Sequence, residues 1–140
     1  MVNTPQRDRP SGETSGSEQR PARELTGAAM QFDMTTELAT LKQEPSWQRG
    51  DRNARTLVDA GGFRLVLTAL KMGARLREHH TPGWVSIYTT TGHLLVRTAG
   101  RDVDLHMNDV LVLAADEPHE VEALEESSFL LTVAGLDRHT

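Results

Sequence analysis

The sequence predicts an all-β protein of the sandwich or barrel class, and three observations predict it. From Thr56 onward, apolar residues recur with a period of two in short runs, the signature of half-buried strands. Turn residues separate those runs at even spacing: Gly61-Gly62, Pro82-Gly83, Thr91-Gly92, Ala99-Gly100 and Asn108-Asp109. Helical spacing is confined to one short stretch ahead of the strands, so the body of the chain is built from sheet.

Residues 1–29 are Pro, Gly, Ser, Thr, Arg and Glu with almost nothing apolar. Such a segment buries too little surface to offset its ordering entropy, and a disordered tail is expected. Residues 30–55 form an N-terminal helix and a connecting segment. Asp33 or Thr35 caps the helix, Met34, Leu38 and Leu41 share one face, and Pro45 ends it. Trp47, in a polar stretch, anchors this segment on the body of the fold.

Residues 56–135 form the barrel. Strands are expected at 56–58, 63–70, 75–81, 85–90, 94–98, 103–105, 110–113, 119–123 and 129–133. In the second of these, Phe63, Leu65, Leu67 and Ala69 share one face, while Val66 and Leu70 add apolar groups to the other. A strand apolar on both faces needs cover on both sides, which suggests a homodimer. Residues 136–140 read as a polar tail.

Composition narrows the function. A chain of 140 residues is one domain by length. It has no cysteine, which excludes disulfides, thiol catalysis and cysteine-ligated zinc. The net charge of −5 and the absence of a basic run argue against nucleic acid and anionic membrane as partners. No apolar run approaches the ~20 residues of a membrane span, no signal-peptide core is present, and the cytoplasm is the expected compartment. Gly-x-Ser-x-Gly, phosphate-binding glycine loops and His-Glu-x-x-His are all missing. His93, His106 and His139 stand isolated in the sequence and are expected on the surface. Arg75 and Arg77, and the acidic run Glu117, Glu120, Glu122, Glu125 and Glu126, read as solvated faces.

One pair of stretches carries more. Gly73 is followed after five residues by His79, then His80 and Thr81, with Val85 and Gly92 further on. An echo runs Asn108, Ala114, Asp116, His119, Ala123. This two-part spacing resembles the cupin superfamily. Its first motif is Gly, five residues, His-x-His, three or four residues, Glu, six residues, Gly. Its second is Gly, five residues, Pro-x-Gly, two residues, His, three residues, Asn. His79 and His119 fall at histidine positions, Thr81 at the second histidine and Val85 at the glutamate. The resemblance covers roughly residues 56–134. It implies a jelly-roll barrel (a double-stranded β-helix), in which three histidines and a glutamate point inward to hold a divalent metal.

Only two of those four ligands are present here. Two imidazoles without a carboxylate hold a divalent ion loosely, so the metal is expected to be weakly bound or absent. Strand alternation sends His80 to the face opposite His79, unless the strand bulges. Trp84 stands at the rim, where an aromatic covers a ligand or packs on the N-terminal segment. Glu117, before Pro118, reaches the barrel mouth. The first reading is therefore a binding module that holds a small, partly apolar molecule near His79, Thr81, Trp84, Val85, Glu117 and His119. The alternative is a metal-dependent oxygenase or isomerase using His79, His119 and a third ligand from His80 or Glu117.

Overall fold

A computed structural model describes residues 29–135; residues 1–28 of the expected first tail, residues 136–140 and His139 lie outside the described residues. Nine strands are described: β1 (Arg52–Ala60), β2 (Phe63–Leu70), β3 (Arg75–His79), β4 (Trp84–Thr91), β5 (His93–Thr98), β6 (Asp102–His106), β7 (Val110–Leu113), β8 (His119–Ala123) and β9 (Ser127–Ala134). They form two antiparallel sheets, ordered β1-β2-β9-β4-β7 and β3-β8-β5-β6. Only β1-β2 and β5-β6 are hairpins within one sheet. Every other connection passes from one sheet to the other, which is jelly-roll wiring. Apolar alternation buries Val85, Ile87, Leu94, Val96, Val121, Phe129 and Val133 between the sheets as one core.

The turns follow local chemistry. Gly73, Gly92, Asn108 and Asp116 occupy the four glycine positions of the two motifs, and all four have positive φ, from +67° to +88°. Asn and Asp tolerate this left-handed backbone better than other side chains do, so two motif glycines are replaced without changing the turns. Gly92 is under a second constraint. A Cβ there would collide with the Glu126 carbonyl and with Ser127, so β4 and β5 turn directly against the start of β9.

The N-terminal segment contains two helices where one was expected. Asp33 caps α1 (Met34–Lys42), its carboxylate accepting from the Thr35 N–H at 3.0 Å. Pro45 does more than end that helix: it opens α2 (Pro45–Arg49), where a missing N–H costs nothing. Met34, Leu38, Leu41 and Trp47 pack on the outer face of β1 and β2, against Leu57, Val58, Leu65, Leu67 and Ala69. The ammonium groups of Lys42 and Lys71 lie 5.5 and 4.9 Å from the Trp47 ring. The helices therefore cover part of the outward face of β2, and its two-sided apolarity is met within this chain at Leu65, Leu67 and Ala69.

β1 is longer than the expected 56–58. Its first half carries Asn53 and Arg55, which are polar yet buried beneath the helices. The register with β2 slips between Thr56 and Val58, and this bulge lets the neighbours Leu57 and Val58 join the same apolar cluster. Under Arg55 lie Glu37 at 3.2 Å and Glu44 at 3.4 Å, all three largely shielded from water. The Asn53 amide donates to Glu44 at 2.8 Å and to the Leu41 carbonyl at 3.0 Å. These buried polar links fix how the helices dock.

Among the described residues, the buried hydroxyls of Ser46 and Thr89 lack such compensation. The Thr89 hydroxyl, on a residue with no exposed surface, has no hydrogen-bond partner among the described residues. An orphaned buried hydroxyl costs about 1–3 kcal/mol. Thr89→Val, which keeps the shape and removes that group, is expected to raise stability by about 1 kcal/mol, read as a higher urea midpoint at unchanged slope. A lower midpoint would show that the hydroxyl has a partner after all.

Candidate functional site

The residues singled out by the motifs gather at one end of the barrel, where three connections meet. The first is the β3–β4 turn. The Thr81 hydroxyl donates to the Gly83 carbonyl at 3.1 Å and accepts from the Gly83 N–H at 3.2 Å, so this side chain is engaged in shaping its own turn. The second is the β7–β8 connection. The Asp116 N–H donates to the Thr81 carbonyl at 2.7 Å, and His80 Nδ1 lies 3.7 Å from the Asp116 carboxylate. The third is the β5–β6 turn, where the Ala99 N–H donates to the Glu117 carboxylate at 3.3 Å.

His119 opens β8 at the centre of this end and is 3% exposed. Its Nδ1 lies 3.1 Å from the Glu117 carbonyl oxygen. A carbonyl only accepts, so Nδ1 carries a proton and donates it in this contact. A backbone carbonyl on the far nitrogen is also how ligating imidazoles are commonly oriented.

Across the sheet, the Cα register sets His79 opposite His119 on one side and Thr98 opposite it on the other. The β3–β8 register slips between Leu76 and His79. Arg75 and Leu76 pair with Glu122 and Val121, and after the slip it is position 79, not 78, that faces His119. The two histidines, distant in sequence, are thus neighbours in the ladder.

The other expected site residues divide. Val85 is 3% exposed and belongs to the inter-sheet core, opposite Val133 and Leu113. Trp84 is 52% exposed and pairs with Ala134, outside the cluster that holds the helices. His80 is exposed. Glu117 lines a recess of about 240 Å³ with Thr98, Arg101, Val103, Leu111 and Leu113. The recess lies where β6 and β7, the terminal strands of the two sheets, approach each other. Its lining is mixed: Val103, Leu111 and Leu113 contribute apolar groups, but most of the exposed wall is polar, with Thr98 and the oppositely charged Arg101 and Glu117. A larger recess, about 460 Å³, involves Arg52, Arg75 and Arg77. There Asp51 pairs with Arg52 and Glu120 with Arg75, so most of the positive charge is neutralised within the protein.

The chemistry of the donor set bears on metal binding. The two positions at which the resemblance implies further ligands hold a turn-forming hydroxyl and an apolar core side chain. Among the described residues, no group of three or more His, Asp or Glu side chains is disposed to hold a metal ion. These residues do not fit a tightly held metal of the four-ligand kind.

Sequence reasoning missed three features. Arg101, Val103 and Leu111 reach the recess only through cross-sheet packing, and no spacing rule marks them. His93 and His106, isolated in sequence, face each other in the β5–β6 ladder with rings stacked at 4.1 Å. His93 Nε2 also lies 2.8 Å from the Asp104 carboxylate. Glu120 and Glu122, expected as a solvated face, form a cross-strand lattice with Arg75 and Arg97. The hydrogen bond that Arg97 donates to the Glu122 carboxylate raises the Arg97 pKa above its ordinary value.

Comparison with known proteins gives the same picture of the fold. Residues 65–137 match the family model of the AraC-like ligand binding domain. No curated protein matches the chain in sequence. Among solved structures, the chain is similar to a conserved protein of unknown function from Streptococcus pyogenes, at 22% identity and a TM-score of 0.59 over 61% of this chain and 75% of that one. It is similar to a cupin superfamily protein from Desulfitobacterium hafniense, at 17% identity and 0.58 over 59% and 76%. It is also similar to the DMSP lyase DddQ from Ruegeria pomeroyi, at 13% identity and 0.57 over 64% and 50%. No helix among the described residues is long and apolar enough to cross a membrane.

Proposed function

The chain belongs to the AraC-like ligand-binding domain family within the cupin fold, and from that premise we propose that it is a small-molecule-binding module whose ligand sits at the loop end of the barrel. The observation that carries this reading is His119. It is a buried imidazole whose Nδ1 is held by the Glu117 carbonyl, beside a recess of about 240 Å³ lined by both apolar and polar groups. Binding sites combine apolar walls with a few oriented polar groups in this way. The ligand is small, partly apolar and carries one hydrogen-bonding group, with Glu117 at the rim. Any divalent metal at His79 and His119 binds weakly.

The test is a melting-temperature screen with short-chain carboxylates, amines and polyols. A compound present at a hundred times its Kd adds about 2.7 kcal/mol to stability. At least one class is expected to raise the melting temperature of the wild type with saturation. His119→Ala and the more conservative His119→Asn are expected to lose that response while remaining folded. A response unchanged in both variants would remove His119 from the site and sink this reading.

A metal-dependent enzyme is the second reading. The ladder pairing of His79 with His119 and the likeness to a lyase support it. It needs a third ligand from His80 or Glu117. His80 is exposed beside Asp116, and the Glu117 carboxylate accepts from Ala99, so each would have to leave its present contact. That cost places the enzyme reading second.

A further inference from the structure

The recess beside His119 carries two opposite charges that do not neutralise each other. Arg101 and Glu117 both line it, yet no ion pair within 4.0 Å joins them, and neither is paired with another charge among the described residues. Elsewhere on the barrel such groups do close: Arg75 and Arg97 lie between 2.8 and 3.7 Å from Glu120 and Glu122. The β5–β6 turn holds both groups in place. The Arg101 N–H donates to the Thr98 hydroxyl at 3.1 Å, and that hydroxyl donates to the Arg101 carbonyl at 2.7 Å. One oxygen of the Glu117 carboxylate accepts from the Ala99 N–H at 3.3 Å, which leaves the other to accept from a ligand. A cation and an anion thus stand apart across a space of about 240 Å³, with Val103, Leu111 and Leu113 as its apolar wall.

We propose that this recess takes a zwitterion, an amino acid with a short aliphatic chain, its carboxylate on Arg101 and its ammonium on Glu117. A guanidinium offers a planar fork that matches a carboxylate, and an ammonium donates to the free oxygen of Glu117. A ligand of one charge leaves the opposite charge partly desolvated and unmatched, and a neutral ligand leaves both so. The aliphatic wall takes the body of the chain. No aromatic ring is among the described residues that line the recess, so nothing there forms the cage that favours a quaternary ammonium, and a primary one fits better. This inference rests on the binding reading of the same site: the ligand's hydrogen-bonding group becomes a charged one, and a charge of opposite sign joins it.

Calorimetric titration of the full chain tests it with L-norvaline and 4-aminobutyrate, and with valerate and butylamine, which each keep one charge. At least one zwitterion is expected to bind roughly tenfold or more tighter than either single-charge probe, the worth of one charge-assisted hydrogen bond. N-trimethylation of that zwitterion is expected to weaken it. Arg101→Gln is expected to weaken valerate and spare butylamine. Glu117→Gln, which keeps an acceptor for Ala99 and the carbonyl that holds His119, is expected to do the reverse. Each variant weakens the zwitterion roughly tenfold with an unchanged urea midpoint, a split by charge that a structural role would not produce. Valerate or a polyol that binds through His119 with no gain from an added ammonium would overturn the zwitterion and leave the binding module standing. A zwitterion that binds through Arg101 and Glu117 but is indifferent to His119→Asn would uphold this inference and sink the role of His119. Neither zwitterion binding, or binding that survives both charge variants, would overturn the inference.

Discussion

Arg55→Ala is expected to destabilise the protein by about 3–5 kcal/mol, which lowers the melting temperature by roughly 10 °C or more. Arg55 is 4% exposed and lies against two carboxylates, Glu37 and Glu44, that are themselves buried. Removing the guanidinium leaves two anions in a low-dielectric layer with their cation gone. That penalty exceeds the worth of the ion pairs themselves, because a complete buried set roughly offsets its own desolvation. The triple variant Arg55→Met, Glu37→Met, Glu44→Gln removes all the charges and keeps an acceptor for Asn53. It is expected to regain most of the lost stability. Urea denaturation of the three proteins checks this. A single-variant loss below about 1 kcal/mol would mean that the helices dock through their apolar face alone.

The second large effect concerns metal. Val85→Glu with Thr81→His puts a carboxylate and an imidazole at the two positions that lack them. Val85 lies in the inter-sheet core, so an unpaired glutamate there costs several kcal/mol without a cation. Thr81→His also removes the hydroxyl that braces the Pro82-Gly83 turn. In chelator, the double variant is therefore expected to melt well below the wild type. With manganese or cobalt it recovers, since a metal at a hundred times its Kd contributes about 2.7 kcal/mol. The wild type is expected to melt at the same temperature under both conditions. A wild type that retains stoichiometric metal through dialysis would reverse the order of the two functional readings. Glu117→Gln and His80→Ala would then identify the third ligand.

Much of the architecture is legible in the residues because it rests on local constraints. Period-two alternation reads as strands wherever one face is buried, and all nine expected strands occur. The four motif glycine positions are occupied by Gly73, Gly92, Asn108 and Asp116, and each has the positive φ that these residue types accommodate best. The Asp33 cap and the apolar stripe of α1 are equally local. These features depend on a residue and its near neighbours, so a single sequence is enough to read them.

The site is different, because its geometry depends on partners far along the chain. Which of two neighbouring positions on β3 faces His119 is settled by a bulge, and a bulge is a mismatch between two strands rather than a property of either. The stacked His93 and His106 rings, and the recess lined by Arg101, Val103 and Leu111, come from ladder register and sheet packing. Composition alone makes Arg55, Glu37 and Glu44 look like surface residues. They are buried because α1 and α2 fold over the outside of β1. The sequence by itself determined the strands, the turns and hence the barrel, since those follow from local backbone preference and alternation. Only the tertiary structure decided which side chains meet at its loop end and which charged groups lie buried beneath the helices, since both depend on how distant strands and helices pack.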